Sequence, residues 1–588
     1  MVIESTSKNE MAMSTHPLTG APNGTPNGTS PAPGSSYKVI EEPLGTARLV
    51  RIITIGAGAS GLNIARNVKE HMKNVALQIY EKNGQVGGTW LENSYPGCAC
   101  DIPSHNYQYS WAGNPRWNKY YSPQPEILDY FQRAAAEHGL LPYVKFGHRV
   151  VEAAWAEDDG VWKFKIEDLA TGQVFEDWAN FFINASGYLN NWKWPEIEGL
   201  HSFKGDLLHS AAWDPKTSLK DKTVAVIGYG SSGIQVVTAL QPEVKHLVTF
   251  IRGPTWITAG FGSKYAAPGG QNFDFTEEQK KKFEESPEEY LAYRKGVEHE
   301  LSSRFKMLHA DTPEQKAAVK FSTEDMLRRL GPDSPLADFI IPDFPVGCRR
   351  PSPGNGYLEA LSKPNVSVVT GKEIARVEAD GLVLETGEKV VCDAIVCATG
   401  FDLSFRPRFP IVGRNKVDLR DAWAERATAY LSMTPADMPN YFMFLGPNAP
   451  VGHGSAIPII EHLTKYMLKM VYKCQVEGYK SFCPRQGAID EFVEHADAFL
   501  PRTAWAGKCR SWFKNGKETG PVTGLHPGSR LHWFYVLKEP RYEDWEWTTW
   551  NKNRWAYLGN GFTTVEVEGR DLTWYFDQPE KEYEAFVY

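Results

Sequence analysis

The chain has 588 residues, 42% hydrophobic and 13% aromatic, with a formal net charge of -8 and a pI near 6.1. That length gives room for two or three domains with their own cores, and an acidic balance without a basic stripe argues against a nucleic-acid surface. No apolar run approaches the roughly 18 residues needed to span a bilayer, and MVIESTSKNEMAMSTH lacks the apolar stretch of a signal peptide, so a cytoplasmic location without a membrane partner is expected.

Residues 1 to about 36 are of low complexity, with PNGT at Pro22 and again at Pro26 followed by SPAPGSS. Such a segment buries too little apolar surface to offset its ordering entropy, and disorder is expected over 1–38. The first chemical signal is GAGASG, Gly56 to Gly61, between the apolar run Leu49 to Ile55 and a helical segment from Leu62 to Lys69. Gly56 permits a tight turn, Gly58 lets the backbone approach a pyrophosphate and Gly61 lets helix pack on strand, so the N–H groups around Ser60 face the phosphates. The next strand, Ala76 to Tyr80, ends in Glu81, twenty residues past the third glycine, where a carboxylate accepts a ribose hydroxyl. GGTWLENSYPGCACD, Gly87 to Asp101, follows, and places Gly88, Thr89, Trp90 and Asp101 along the same cofactor.

A second fingerprint, GYGSSG, spans Gly228, Gly230, Ser231, Ser232 and Gly233 after the strand Thr223 to Ile227. The strand that follows it, His246 to Ile251, ends at Arg252, where the first unit carries Glu81. A carboxylate there repels a 2'-phosphate and a guanidinium binds one. The order therefore reads as FAD first and NADPH second. Between the two lies FKGDLLHSAAWD, with Phe203, Gly205, His209, Trp213 and Asp214 linking the nucleotide units.

From Phe273 to Phe344 the chain turns charged and helical. Thr276 with Gln279, and Thr312 with Pro313 and Gln315, have capping-box spacing. Phe283, Tyr290, Val297, Leu301 and Phe305 are expected to face a core. FPVGCRRPSPGNGY then sets Arg349 beside Arg350 in a Pro- and Gly-rich loop, and adjacent cations imply anionic partners. Short strands return at Val366 to Thr370, Ala394 to Cys397 and Tyr441 to Leu445, the last running into GPNAPVGHG, either a loop near a flat ring system or a surface turn. Trp533, Trp545, Trp547, Trp550 and Trp555 crowd the C-terminal stretch and read as packing rather than substrate stacking. The eight cysteines are scattered, only Cys98 and Cys100 lying close as CxC, so free, mostly buried thiols and no metal site are expected.

These residues together resemble the type I Baeyer–Villiger monooxygenases, class B flavoproteins. That family carries FxGxxxHxxxW(P/D) between two GxGxxG units and a GGTWxxxxYPGxxxD segment, and both motifs are complete here, the likeness covering about residues 45 to 540. The tail, with PGSRLHWFYVLKEPRYEDW, looks like a fungal subgroup tied to bulky ketones or secondary metabolism.

The resemblance implies an α/β fold of two Rossmann-like dinucleotide-binding domains with a helical insertion in the NADPH domain. The expected division is FAD-binding over 39–200 and 389–588, NADPH-binding over 201–272 and 345–388, and insertion over 273–344. It also implies hydride transfer from NADPH to FAD and addition of dioxygen to give a flavin C4a-peroxide. Attack on a ketone would then yield an ester or lactone, without an obligate protein partner. Arg350 would stabilise the peroxyanion and Asp101 orient Arg350, while Arg349 would bind the NADPH phosphate. KCRSWFKNG looks like the family's loop over NADP, with Trp512 the matching tryptophan, and His209 is given a structural or conformational role. The family often has an arginine where this chain has Ala99. Three alternatives remain: a flavin monooxygenase oxidising nitrogen or sulfur, a disulfide reductase needing a cysteine pair at the flavin, and a non-catalytic nucleotide-binding protein.

Overall fold

A computed structural model describes residues 37–331 and 333–576; the disorder expected over 1–38 lies, up to residue 36, outside the described residues. By internal contacts the chain divides into two compact units. The larger comprises 47–475 and 479–550 and contains both fingerprints. It is built on two five-stranded parallel sheets.

In the first sheet the order is Tyr441–Met443, Phe181–Asn184, Val50–Ile55, Val75–Tyr80 and Val144–Lys145. Val50–Ile55 pairs in parallel with both neighbours and feeds the helix Ala59–His71. The central strand is nearly continuous apolar sequence, as a strand covered on both faces requires. In the second sheet the order is Val366–Thr370, His246–Ile251, Thr223–Ile227, Ala394–Cys397 and Asp206–His209. Its fingerprint strand Thr223–Ile227 again lies in the middle and feeds the helix Ser231–Leu240. Ala394–Cys397 pairs with Thr223–Ile227 and Asp206–His209, so this strand belongs to the second sheet.

The insertion is helical, over Glu277–Glu285, Pro287–Ser303 and Pro313–Leu330. Tyr290, Val297 and Leu301 are buried, with Phe283 and Phe305 packed against buried clusters, as expected of core-facing residues. Thr276 and Gln279 form a complete capping box. Thr312 caps Gln315 N–H, but the Gln315 side chain does not reach back; it bonds Val346 N and O at 3.0 and 2.9 Å. Its amide thereby fixes the entry of the loop carrying Arg349 and Arg350.

The strand Trp545–Thr549 pairs antiparallel with Tyr479–Pro484, and Trp545 lies fully buried at ring-centroid distances of 5.0 Å from Tyr430 and 5.3 Å from Phe482. Trp533 is also fully buried, so these two tryptophans are packing groups. The smaller unit comprises 37–46, 476–478 and 551–576 of the described residues. Within it Leu44 bridges to Thr563 and a capping box from Thr563 to Glu566 starts a short helix. Trp555 belongs to this unit and is exposed.

Candidate active site

Each fingerprint takes the turn its glycines permit. Gly56 has φ +98° and Gly228 φ +117°, left-handed values that disfavour any side chain. A Cβ on Gly61 would stand 2.0 Å from Gly56 O, and one on Gly233 2.0 Å from Gly228 O, so the third glycine in each is demanded by helix-on-strand packing. The middle glycines differ. A Cβ on Gly58 meets Gly88 Cα at 3.3 Å, whereas one on Gly230 meets nothing within 4 Å. Both fingerprint helices lack a side-chain cap, which leaves the N–H groups around Ser60 and around Ser231 and Ser232 open to an anion.

Glu81 is buried and accepts from Ala57 N at 2.7 Å and Asn83 N at 2.9 Å. Burial raises its pKa, and the two backbone bonds work against that rise. Arg252, which follows the corresponding strand, is exposed. Gly88, at φ +52°, precedes the short helix Thr89–Glu92, in which Thr89 is exposed and Trp90 buried, donating to Tyr107 Oη at 3.1 Å.

The segment from Tyr95 to Asp101 then crosses to the second fingerprint helix. Tyr95 donates to Gln235 Oε1 at 2.8 Å, Gln235 Nε2 donates to Ala99 O at 3.0 Å, and a Cβ on Gly97 would stand 2.6 Å from Gln235 O. This clamp positions Asp101. Arg350 meets its carboxylate from both ends of the guanidinium, Nη2 at 2.7 and 2.9 Å and Nε at 3.1 Å. The side chains are 30% and 24% exposed, sheltered but reachable. Burial lowers the Arg350 pKa, Asp101 more than offsets it, and the net shift is upward, so the cation is permanent. The ring of Phe261 faces the guanidinium at 5.5 Å, and Val451 O lies 3.5 Å from Nη1.

Arg349 points elsewhere. Its guanidinium lies 5.1 Å from the Tyr229 ring of the second fingerprint, and Nη1 donates to Pro254 O at 3.4 Å. Ser231 Oγ touches Ser352 Oγ at 3.1 Å, so the same loop is joined to that fingerprint. The paired arginines therefore face two surroundings.

Phe203 and Trp213 are buried, and Gly205 admits no Cβ, which would stand 2.2 Å from Asp393 O. Asp214 is exposed and accepts from Lys216 N at 2.9 Å, closing a turn. His209 is 1% exposed, stacked on Trp192 at 4.4 Å and edge-on to Trp194 at 5.6 Å. Ala211 N donates to Nδ1 at 3.1 Å, which leaves the ring proton on Nε2, 3.2 Å from Thr399 Oγ1. Burial lowers its pKa to about 4, so the ring is neutral near pH 7.

Trp512 is half-buried, its ring 5.9 Å from Tyr188. Residues 446–454, the GPNAPVGHG loop, are mostly buried rather than a surface turn, with Asn448 N donating to Thr523 O at 2.8 Å and His526 N to Ala449 O at 3.1 Å.

The expectation of free thiols fails at one place. Cys348 and Cys509 form a disulfide across 161 residues, with Cα atoms 6.3 Å apart. Local spacing carries no signal for such a bond, because the fold brings the partners together. Cys98 and Cys100 are free and buried, and burial pushes Cys98 up to about 11 and Cys100 higher still. Gln235, Tyr188 and Phe261 were missed as well. Only Gln235, two residues beyond Gly233, stood beside a motif.

Among the described residues no helix is long and apolar enough to cross a membrane. A family model described as FMO-like, flavin-binding monooxygenase-like, matches residues 49–267. The chain is 41% identical over 528 residues to the FAD-binding monooxygenase tazF of Aspergillus terreus, covering 89% of this chain and 93% of that protein. A Baeyer–Villiger monooxygenase of Pseudomonas aeruginosa is 32% identical over 491 residues, covering 82% and 88%. The crystal structure of cyclohexanone monooxygenase from Rhodococcus sp. Phi1 bound to NADP+ is similar at a TM-score of 0.73 and 28% identity, over 86% of this chain and 100% of that one. With two nucleotide folds and relatives of this extent, the chain belongs to the Baeyer–Villiger type of flavin-binding monooxygenases, enzymes that work with FAD and NADP(H).

Proposed function

We propose that the protein inserts one atom of dioxygen beside a ketone carbonyl, converting ketone, dioxygen, NADPH and a proton into ester or lactone, NADP+ and water. The observation that carries this reading is Arg350, a permanent cation held by both oxygens of Asp101 on a loop tied to the second fingerprint. Bound FAD supplies the redox chemistry, taking hydride from NADPH and activating dioxygen. The residues fit both cofactors: two uncapped helix N-termini for the phosphates, and at Gly230 a space that a Cβ would fill.

Arg350 stabilises the negative charge that develops on oxygen as the carbonyl is attacked. Charge–charge interactions are strongest where water is excluded and donors are fixed in advance. Asp101 does not react; it stops the guanidinium from swinging. Arg349 and Arg252 would hold the phosphates of NADP(H), Glu81 fixes the first turn and would accept from the ribose of FAD, and Trp512 would cover the nicotinamide cofactor. His209 is a structural link between the nucleotide folds: a ring locked by two indoles and two hydrogen bonds, its pKa lowered by burial to about 4, stays neutral near pH 7 and takes up no second proton. We assign the second-sheet residues 201–272 and 345–397 to NADPH binding, the helical insertion to 273–344, and 39–200 with the chain beyond 397 to FAD binding. A cytoplasmic location suits this reading, since that compartment supplies NADPH.

The test is mass spectrometry on cyclic ketones, bulky ketones and sulfides incubated with the yellow protein, NADPH and dioxygen labelled with heavy oxygen. A lactone or ester carrying one labelled atom is expected. Sulfoxide without any ester from the ketones would replace this reading with heteroatom oxidation.

A further inference from the structure

The Cys348–Cys509 bond joins two segments that the site depends on. Cys348 immediately precedes Arg349 and Arg350, and Cys509 lies three residues before Trp512. Between 507 and 517 the chain closes on itself: Ser511 N donates to Lys517 O at 3.2 Å, Gly516 N to Ser511 O at 2.9 Å, and Lys514 Nζ to Glu518 O at 2.8 Å. This small loop is held on one side by the backbone bonds of Phe513 O to Thr523 and Gly524, at 2.9 and 3.1 Å. On the other side the disulfide ties it to the arginine loop, with Gly507 packed so closely that a Cβ there would stand 3.2 Å from Cys348 Sγ.

We propose that Cys348–Cys509 is a thiol-exchange site through which a dithiol reductant releases the Trp512 loop from the arginine loop and loosens the hold on NADP(H). Cys509 is 4% exposed but sits between the exposed residues Lys508 and Arg510, so one residue of fraying presents its sulfur, whereas Cys348 is fully buried. A thiolate of the reductant attacks the Cys509 sulfur, the S–S bond breaks and a mixed disulfide forms. The second thiol of the reductant then displaces Cys509, leaving two protein thiols and an oxidised, cyclic reductant; two electrons pass to the protein with two protons. Among the described residues Cys348 and Cys509 form the one disulfide, so only this pair exchanges. The assignment of NADP(H) to Trp512 and Arg349 rests on the function proposed above, whereas the exchange site itself does not.

The test compares the full-length protein before and after treatment with dithiothreitol under native conditions. Tryptic mapping without reduction should recover one peptide pair joined at Cys348 and Cys509, and treatment should free two thiols per chain. Trypsin cleavage at Lys508, Arg510 and Lys517 should then rise about tenfold, because a tether that held the loop at high effective concentration is gone. NADP+ binding, followed by protein fluorescence without any ketone, should weaken by about fivefold or more. Cys509→Ser should behave like the reduced protein and ignore dithiothreitol. Alkylation of both cysteines in untreated protein would overturn the proposal, and so would cleavage and NADP+ affinity that are the same in both redox states. Neither readout involves oxygen insertion, so failure of the Baeyer–Villiger reading leaves the exchange site standing.

Discussion

The two glycine fingerprints share a backbone plan and part company at the middle glycine and at the residue after the next strand. In the first, Gly58 packs against Gly88 and the strand ends in a buried Glu81 bound to Ala57 N. In the second, Gly230 faces open space and the strand ends in an exposed Arg252. At its middle glycine the first is closed by the protein's own backbone, and the second is open. Asp101 and Arg350 lie where the two meet, joined through Gln235 to the second helix. The difference teaches that identical GxGxxG spacing conceals two kinds of glycine, one packed against the protein's own backbone and one facing open space.

The sharpest contrast is between Gly61→Ala and Gly230→Ala. The first places a Cβ against backbone and should leave a protein nearly devoid of flavin, read as loss of yellow colour. The second has no steric obstacle, so it should fold and stay yellow while NADP(H) binding weakens by about tenfold; loss of flavin there would break the distinction between the two glycines. At the junction, Asp101→Ala removes the bidentate partner of Arg350 and should lower ester formation by about tenfold to a hundredfold, the range of charge-assisted hydrogen bonds, with flavin reduction retained. Steady-state product yield against the rate of flavin bleaching checks this. Arg252→Ala should weaken NADPH by about tenfold and NADH hardly at all; equal losses would show that Arg252 does not read the 2'-phosphate.

The smallest effect concerns pH. His209 has a folded pKa of about 4, below its unfolded value, so the unfolded chain binds the extra proton first. Its contribution to stability is complete above about pH 6.5 and is lost as pH falls toward 4. His209→Gln should show a shallower fall in apparent melting temperature over that window, measured at one scan rate.

Much of the fold could be read from sequence because its signals are local. The strands Thr223–Ile227 and His246–Ile251 match their apolar runs, and Val50–Ile55 begins one residue later than expected. Each is bounded by a glycine turn or a charged residue, where the physical constraint changes abruptly. The Asp101–Arg350 pair came only through resemblance, since 249 residues separate them. What sequence left hidden is contact across the fold. Gln315 fits a capping box as well as Gln279 does, yet tertiary packing hands its amide to Val346. Phe261 carries no motif and acquires its place over Arg350 from the loop that precedes the insertion. The disulfide belongs to the same class.

The most direct measurement is Arg350→Ala followed in parallel by stopped-flow flavin reduction with NADPH and by mass spectrometry of ketone products. Reduction near the wild-type rate with ester formation down about a hundredfold or more would place Arg350 at the oxygen-transfer step. Ester formed at the wild-type rate would contradict that assignment and remove Arg350 from the chemistry.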